Sequence, residues 1–194
     1  MNELKDKKYF VMDDFLNKDI ADELEKFLSN ENIPWYLHTD SVGKMTNKEC
    51  KPRIDDEIFN NPCMVHAFIK DGLMNSSMLE TRQIKQFLNS LNKGDIVFRM
   101  KANLSYSNPI NNEYKYGVPH IDAFEEHYVA LYYVNDSDGD TILFDKDEKT
   151  IIDRITPKKG RCLFFKGDIP HSASGPVKSK YRIVINTNLY YGNI

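Results

Sequence analysis

The stretch "ALYYVNDSDGDTILFD" (residues 130–145) decides the fold. Two runs rich in aromatic and aliphatic residues flank an acidic turn that contains Asp138-Gly139, a pair with the backbone chemistry of a hairpin turn. The later stretches "PKKGRCLFFKGDIPH" (157–171) and "YRIVINTNLYY" (181–191) have the same strand-forming character. The sequence therefore predicts that this half of the chain is built from short strands.

A metal-binding pattern accompanies these strands. Because successive side chains of an extended segment point to opposite faces, we expect His120 and Asp122 to project together and Ile121 to turn into the core. His171, 49 residues after Asp122, would come from a later strand. Two imidazoles and one carboxylate that leave coordination positions open suit Fe(II). The absence of cysteines near them argues against a closed structural zinc site.

The order of these elements resembles that of the iron and 2-oxoglutarate dependent oxygenases. From Asp95 to Tyr191 the chain looks like the core of the prolyl-4-hydroxylase-like branch, including small phage-type members, in "RMKANL", "HID", "YYVND.DGDT" and "KGR..FF...PH". The resemblance implies a mainly β fold with N-terminal helices and a double-stranded β-helix core, of the jelly-roll or cupin-like kind. It also implies one oxygenase domain over residues 1–194, with a helical buttress and substrate loops in 1–94 and the core in 95–191.

The same resemblance implies the roles of individual residues. His120, Asp122 and His171 would be the catalytic ligands of Fe(II). Arg182 would pair with the far carboxylate of 2-oxoglutarate, Tyr133 would donate a hydrogen bond to the same group, and Asn103 would face the cosubstrate. The implied activity is that of a dioxygenase, which uses O2 to hydroxylate a substrate, such as a prolyl or other amino-acid residue, and releases succinate and CO2.

The substrate and the class of function stay open at this point. Members of the family act on peptidyl proline, other amino acids or small molecules, and the superfamily also contains nucleic-acid demethylases. A formal net charge of −3 favours a peptide or small-molecule partner over nucleic acid. A non-enzymatic jelly-roll binding module that retains a metal is the alternative, but such a module needs neither Arg182 nor an open coordination sphere. The sequence does not indicate an oligomeric state.

Composition agrees with one globular domain in the cytoplasm. The chain has 194 residues, of which 41% are hydrophobic and 28% charged. The three cysteines, Cys50, Cys63 and Cys162, are odd in number and lack metal-site spacing, which favours a reducing compartment. No apolar stretch approaches the roughly 20 residues of a membrane span, so we expect no membrane contact and a cytoplasmic location.

Periodicity also predicts two helices and shows which residues of one strand share a face. Apolar residues at helical spacing behind Asn17, a candidate N-cap, predict a helix from Lys18 to Ser29. A similar pattern predicts a second helix from Leu79 to Asn92. In the strand after residue 127, alternation puts Val129 and Leu131 on one face with Tyr133, and the resemblance turns that face inward.

The remaining histidines and the single tryptophan have ordinary interpretations. We expect His38 and His66 at the surface and His127 half-buried at the start of a strand, without a role in metal binding. A single tryptophan in a small domain is usually part of the core, and we expect this of Trp35, with a place in a substrate groove as the alternative.

Overall fold

The computed structural model describes residues 3–30, 32–38, 62–91, 94–107 and 116–192. Within these ranges the helices are α1 (Glu3–Asp6), α2 (Lys18–Leu28) and α3 (Arg82–Ser90), and a short 3-10 turn covers Ser77–Glu80. The strands are β1 (Tyr9–Met12), β2 (Tyr36–His38), β3 (Cys63–Lys70), β4 (Leu73–Met74), β5 (Ile96–Tyr106), β6 (Tyr128–Tyr133), β7 (Thr141–Phe144), β8 (Ile151–Ile155), β9 (Cys162–Lys166), β10 (His171–Ala173) and β11 (Tyr181–Tyr190).

The strands form two antiparallel sheets. The large sheet has the order β1-β9-β6-β11-β5-β3-β2, and β4 pairs with β3. The small sheet has the order β10-β7-β8. The chain passes between the sheets at the steps from β6 to β7, β8 to β9, β9 to β10 and β10 to β11, which is the winding of a double-stranded β-helix. Because β6 and β7 lie in different sheets, the prediction of a hairpin turn at Asp138-Gly139 is wrong. The prediction of a mainly β fold with N-terminal helices is confirmed.

The large sheet buries both of its faces, and β6 shows how the sequence divides between them. Ala130 and Tyr132 belong to the core that packs under the helices. Val129, Leu131 and Tyr133 belong to a second core between the sheets. The inward orientation of Tyr133 is therefore confirmed, and a strand buried on both faces explains why its sequence is apolar throughout.

The two predicted helices cover the outer face of the large sheet. The side chain of Asn17 accepts a hydrogen bond from the Ile20 N–H at 2.9 Å, so α2 begins where the sequence predicts. The second helix begins at Arg82 and not at Leu79, because the Ser76 hydroxyl caps a separate 3-10 turn and Thr81 is extended. Asn92, the predicted end, lies outside the described residues.

The N-terminal half contributes more than a helical buttress. It supplies β1, which pairs with β9, and β3, which joins the long strand β5 to β2 and β4. These strands were not predicted, since "YFVM" is short and "CMVHAFIK" carries two basic residues. The pairing of β1 with β9 and of β3 with β5 joins residues distant in sequence and leaves no local signal. The Asp71-Gly72 turn between β3 and β4 is a local hairpin signal that was overlooked.

Phe87 should anchor α3 to the sheet. Its side chain is fully buried, with ring centroids 5.5 Å from Tyr132 and 6.3 Å from Phe15. We expect Phe87→Ala to lower the free energy of unfolding by about 3–5 kcal/mol in urea denaturation, because a large cavity would be left. Leu73→Ala, at a side chain that is 72% exposed, is the control and should change it by less than about 0.5 kcal/mol. Equal losses for the two variants would contradict this assignment.

Candidate metal centre

The three predicted ligands meet at one end of a cavity between the sheets. His120 and His171 form an isolated antiparallel bridge, with reciprocal N–H to carbonyl hydrogen bonds of 3.0 and 2.9 Å. Their ring centroids are 4.8 Å apart, and His171 Nε2 lies 3.8 Å from Asp122 Oδ2. One ligand atom from each side chain falls within 4.8 Å of the others, a spacing at which one ion could contact all three.

The local backbone differs from the sequence-based expectation. His120 makes only the isolated bridge, and Asp122 lies in a bend before β6, so the prediction that both sit on a regular strand is wrong. Ile121 is half-buried and does not join either core. Side-chain hydrogen bonds to Asp122, and not the pleat of a strand, hold the carboxylate in place.

Both histidines are oriented by backbone carbonyls. His120 Nδ1 lies 3.0 Å from the Val118 carbonyl oxygen, and His171 Nδ1 lies 3.3 Å from that of Ile169. Since a carbonyl oxygen can only accept, each Nδ1 must carry the proton. This tautomer leaves Nε2 of each ring as the free ligand atom, the usual arrangement behind a metal-bound histidine.

The Asp122 carboxylate is buried and receives three hydrogen bonds. Arg99 Nη1 donates to Oδ1 at 2.8 Å, while Asn186 Nδ2 and Asn188 Nδ2 both donate to Oδ2 at 2.9 Å. Arg99 comes from β5, and the two asparagines come from β11, its neighbour in the sheet. The carboxylate is therefore fixed between two paired strands.

Protonation states at this end of the cavity suit a metal. Burial lowers the pKa of His171 to about 4 and also lowers that of His120. For Asp122, burial acts to raise the pKa, but the charges of His171 in its protonated form, of Arg99 and of Lys101 outweigh it, so the pKa lies well below its ordinary value. Neutral imidazoles and an ionised carboxylate are the forms that bind metal ions.

Arg182 lies at the other end of the same cavity. Its side chain is only 4% exposed, its Nη2 donates to Thr141 Oγ1 at 2.8 Å, and its guanidinium carbon lies 5.7 Å from the centre of the Tyr133 ring. Its Nε is buried without a hydrogen-bond partner among the described residues. The cavity has a volume of about 110 Å³ and is lined by both histidines and by Arg182.

The two other residues predicted to contact the cosubstrate differ in whether they line the cavity. Asn103 lines the cavity, and its Oδ1 is buried without a partner in the described part of the chain. Tyr133 does not line the cavity, because its fully buried ring lies against the Arg182 guanidinium. Burial raises the pKa of Tyr133 to about 12, so the phenol stays protonated. Direct hydrogen bonding from Tyr133 to a cosubstrate stays a prediction, and its visible contact is with Arg182.

Sequence reasoning missed several residues that face the site. Arg99 and Lys101 share the inner face of β5 with Asn103, and Asn186 and Asn188 share that of β11 with Arg182. The available signal was polar residues at alternate positions of otherwise apolar strands. That alternation marks a polar face, but it does not tell which polar side chain reaches the carboxylate.

Two of the three remaining histidines are more buried than the sequence predicted. His38 is exposed, as predicted, but it lines the cavity. The prediction of a surface position for His66 is wrong: it is buried, with its ring nitrogens at 2.7 Å from the Pro34 carbonyl and 2.9 Å from Ser76 Oγ. His127 directly precedes β6 as expected, but it is fully buried. Trp35 is half-buried: it packs against the outer core and also lines a groove with Tyr106 and Tyr181, so its position agrees with both the core interpretation and the groove alternative.

The family comparison agrees with this geometry. The family model described as the 2OG-Fe(II) oxygenase superfamily matches residues 105–190, which include the three candidate ligands and Arg182. Residues 105–190 belong to the 2OG-Fe(II) oxygenase superfamily. The protein is a 2-oxoglutarate-dependent dioxygenase, and the cofactors of its family are Fe(II), 2-oxoglutarate and O2. This assignment disfavours the non-enzymatic binding module.

Solved structures share the fold of the oxygenase over most of its length. A prolyl hydroxylase from Trichoplax adhaerens, in complex with a peptide fragment of the hypoxia inducible factor oxygen degradation domain, is similar at TM-score 0.61 and 13% identity, covering 97% of this chain and 86% of its own. The epimerase SnoN from nogalamycin biosynthesis is similar at 0.60 and 13%, covering 97% and 80%. The viral collagen prolyl hydroxylase from Paramecium Bursaria Chlorella virus-1 is similar at 0.56 and 18%, covering 96% and 97%.

These similarities include the prolyl-4-hydroxylase-like fold that the sequence predicts. A search of curated protein sequences finds no significant match to the oxygenase. Among its described residues, no helix is both long and apolar enough to cross a membrane.

The asparagines behind Asp122 should strengthen metal binding. We expect Asn186→Ala and Asn188→Ala each to weaken the affinity for Fe(II) by roughly 10- to 100-fold in anaerobic titration, because each removes a hydrogen bond that orients the carboxylate. Asn75→Ala is the matched control, since Asn75 is exposed and bonds only with backbone groups of Ala67 and Phe68. Unchanged iron affinity in both inner-face variants would remove these residues from the support of the site.

Proposed function

We propose that this oxygenase is a hydroxylase in which His120, Asp122 and His171 hold Fe(II) and Arg182 binds the far carboxylate of 2-oxoglutarate. One observation carries the proposal: a single cavity joins the three converging ligand side chains to a buried arginine that has an uncommitted N–H group. A metal site alone would not require a buried cation at the other end of its cavity.

The donor set fits ferrous iron. Two neutral imidazoles and one ionised carboxylate occupy one side of a site, and the cavity on the other side leaves room for exchangeable ligands. When bound, Fe(II) and 2-oxoglutarate together would supply the oxidative chemistry, in which O2 oxidises the cosubstrate to succinate and CO2 and a substrate C–H bond is hydroxylated.

The protein side chains would bind and orient the reactants. The planar guanidinium of Arg182 suits a bidentate pair with a carboxylate, and its bond to Thr141 fixes one end of the fork. The Tyr133 ring supports the guanidinium from one side. Asn103, next to this path, has an amide available to the cosubstrate. None of these groups needs to transfer a proton, so binding and positioning are their whole contribution.

The proposed substrate is a residue of a peptide, such as proline, or a small molecule. Neighbours of the same fold include a prolyl hydroxylase bound to a peptide fragment and the epimerase SnoN. The net charge of −3 makes nucleic acid a less favourable partner. A cytoplasmic location also stays a prediction; the two described cysteines, Cys63 and Cys162, are free thiols, which agrees with it.

Anaerobic addition of Fe(II) and 2-oxoglutarate tests the proposal directly. We expect the weak visible charge-transfer band of the iron chelate, and succinate when O2 is admitted. His120→Ala, Asp122→Ala and His171→Ala should each abolish 2-oxoglutarate turnover with the fold intact by circular dichroism, because each removes one of three protein ligands. Succinate formation at the wild-type rate by one of them, with iron limiting, would exclude that residue as a ligand.

The Arg182→Ala variant tests whether Arg182 binds the cosubstrate without contributing to iron binding. The loss of a charged hydrogen-bonding pair, roughly 1.5–3 kcal/mol, should weaken the apparent affinity for 2-oxoglutarate by about 10- to 150-fold. Iron affinity should change little, since Arg182 makes no contact with the three ligands. Arg182→Lys should restore only part of the affinity, because an ammonium group cannot form the bidentate pair. A parallel loss of iron would mean that Arg182 supports the fold and not the cosubstrate.

A further inference from the structure

The cavity contains a second cation, Lys101, at a different level from Arg182. In the pairing of β5 with β11, Lys101 stands opposite Asn186, which donates to Asp122. Arg182 stands opposite Ser105, four residues farther along β5. Four residues of a strand span roughly 13 Å, so Lys101 lies at the metal end of the cavity and Arg182 at the far end.

Charge effects give the same location for Lys101. Burial is the largest influence on the pKa values of His120, Asp122 and His171, lowering those of the histidines and opposing the low pKa of the carboxylate. The positive charge of Lys101 acts on all three and lowers each pKa. The charges that act on the pKa of Arg182 come from Tyr133, Asp140 and Cys63, and include none of the three ligands. Lys101 is thus an inner-face cation whose charge reaches all three candidate ligands, whereas none of the three is among the charges that act on Arg182.

The Lys101 ammonium has no hydrogen-bond partner among the described residues. It lines the cavity, but it forms no hydrogen bond and no close ion pair with a described residue, whereas Arg99 on the same face is bonded to Asp122. Burial lowers its pKa, and the neighbouring Arg99 charge lowers it further. A buried charge is unfavourable unless it is paired, and an Fe(II) ion close by would add repulsion. The site therefore favours an anion that lies between the metal and Lys101.

We propose that Lys101 binds the carboxylate next to the keto group of 2-oxoglutarate, while Arg182 binds the far carboxylate. The inference rests on the proposed function, because it takes the cosubstrate to occupy this cavity. The two cations would then recognise the two carboxylates of one dicarboxylate separately. Only Arg182 would select 2-oxoglutarate over shorter 2-oxo acids, and Lys101 would contribute to the binding of any 2-oxo acid.

Two ligands distinguish these roles. 2-Oxobutyrate has the same keto acid end as 2-oxoglutarate and no second carboxylate. Anaerobic charge-transfer titrations with Fe(II) would measure the affinity of each ligand for the wild type, Lys101→Met, Arg182→Met and Lys70→Met. Lys70→Met is the matched control, since Lys70 is exposed at the end of the neighbouring strand β3.

We expect Lys101→Met to weaken both ligands by a similar factor, roughly 10- to 150-fold for the loss of a charged hydrogen bond. Arg182→Met should weaken 2-oxoglutarate alone and so abolish the preference for it, and Lys70→Met should change neither affinity. Lys101→Arg, which keeps the charge, should restore part of the binding. Iron affinity without cosubstrate should stay equal or rise in Lys101→Met, because a repulsive charge is removed. A purely structural role for Lys101 would lower it, together with the melting temperature.

Three results would overturn the proposal. Wild-type affinity of Lys101→Met for both ligands would exclude Lys101 from the cosubstrate. A loss restricted to 2-oxoglutarate would assign it to the far carboxylate beside Arg182. A loss of affinity that comes with lower iron affinity and a lower melting temperature would make its role structural. Failure of the wild type to bind either ligand in the presence of Fe(II) is a separate result, which would overturn the proposed function itself.

Discussion

The pairing of β5 with β11 is the constraint on which the site depends. Asp122 is a buried anion, and an anion in the interior is stable only with hydrogen bonds and opposite charge. Arg99 on one strand and Asn188 on the other are direct partners in the pairing, and Asn186 follows on the same face, so the three donors surround one carboxylate. A one-residue slip of either strand would turn its donors to the opposite face, where the helices pack.

The inner face of the large sheet is divided across its width. On β6 and β9 it is apolar and packs against the small sheet, while on β11 and β5 it is polar. Several buried polar atoms on the second part lack partners among the described residues: Asn103 Oδ1, Arg182 Nε, Asn186 Oδ1 and Asn188 Oδ1. Buried polar atoms are rarely left without partners in a stable fold. Asn103, Arg182 and Asn186 line the cavity, where a polar ligand would supply the missing hydrogen-bond partners.

The sequence could predict the residues whose chemistry is unusual for their place in the chain. Two histidines and an aspartate near strand ends indicated the candidate metal ligands, and the family resemblance added Arg182 as the anchor of the far carboxylate. The structure places the two histidines and Arg182 along one cavity, with Asp122 beside the histidines. The support of Asp122 could not be predicted in this way, because it depends on which residues of β5 and β11 stand opposite each other. Tyr133 illustrates the same limit. The alternation of side chains along the strand predicted its face correctly, but only the packing shows that its ring contacts the Arg182 guanidinium and does not line the cavity.

The residues matched by the family model and one exposed part of the cavity wall lie in different parts of the chain. The family match begins at residue 105, so it covers the candidate ligands and Arg182 but not the inner face of β5 from Arg99 to Asn103. The cavity wall continues beyond β5 through Cys63 on β3 to His38 on β2, where the side chains become exposed. The opposite side of the cavity is closed by the apolar core of β6 and β9. Among the described residues, one exposed part of the cavity wall is therefore supplied by strands of the N-terminal half. The family match thus covers the candidate ligands and Arg182, and the strands before residue 105 supply the part of the cavity wall that the match does not include.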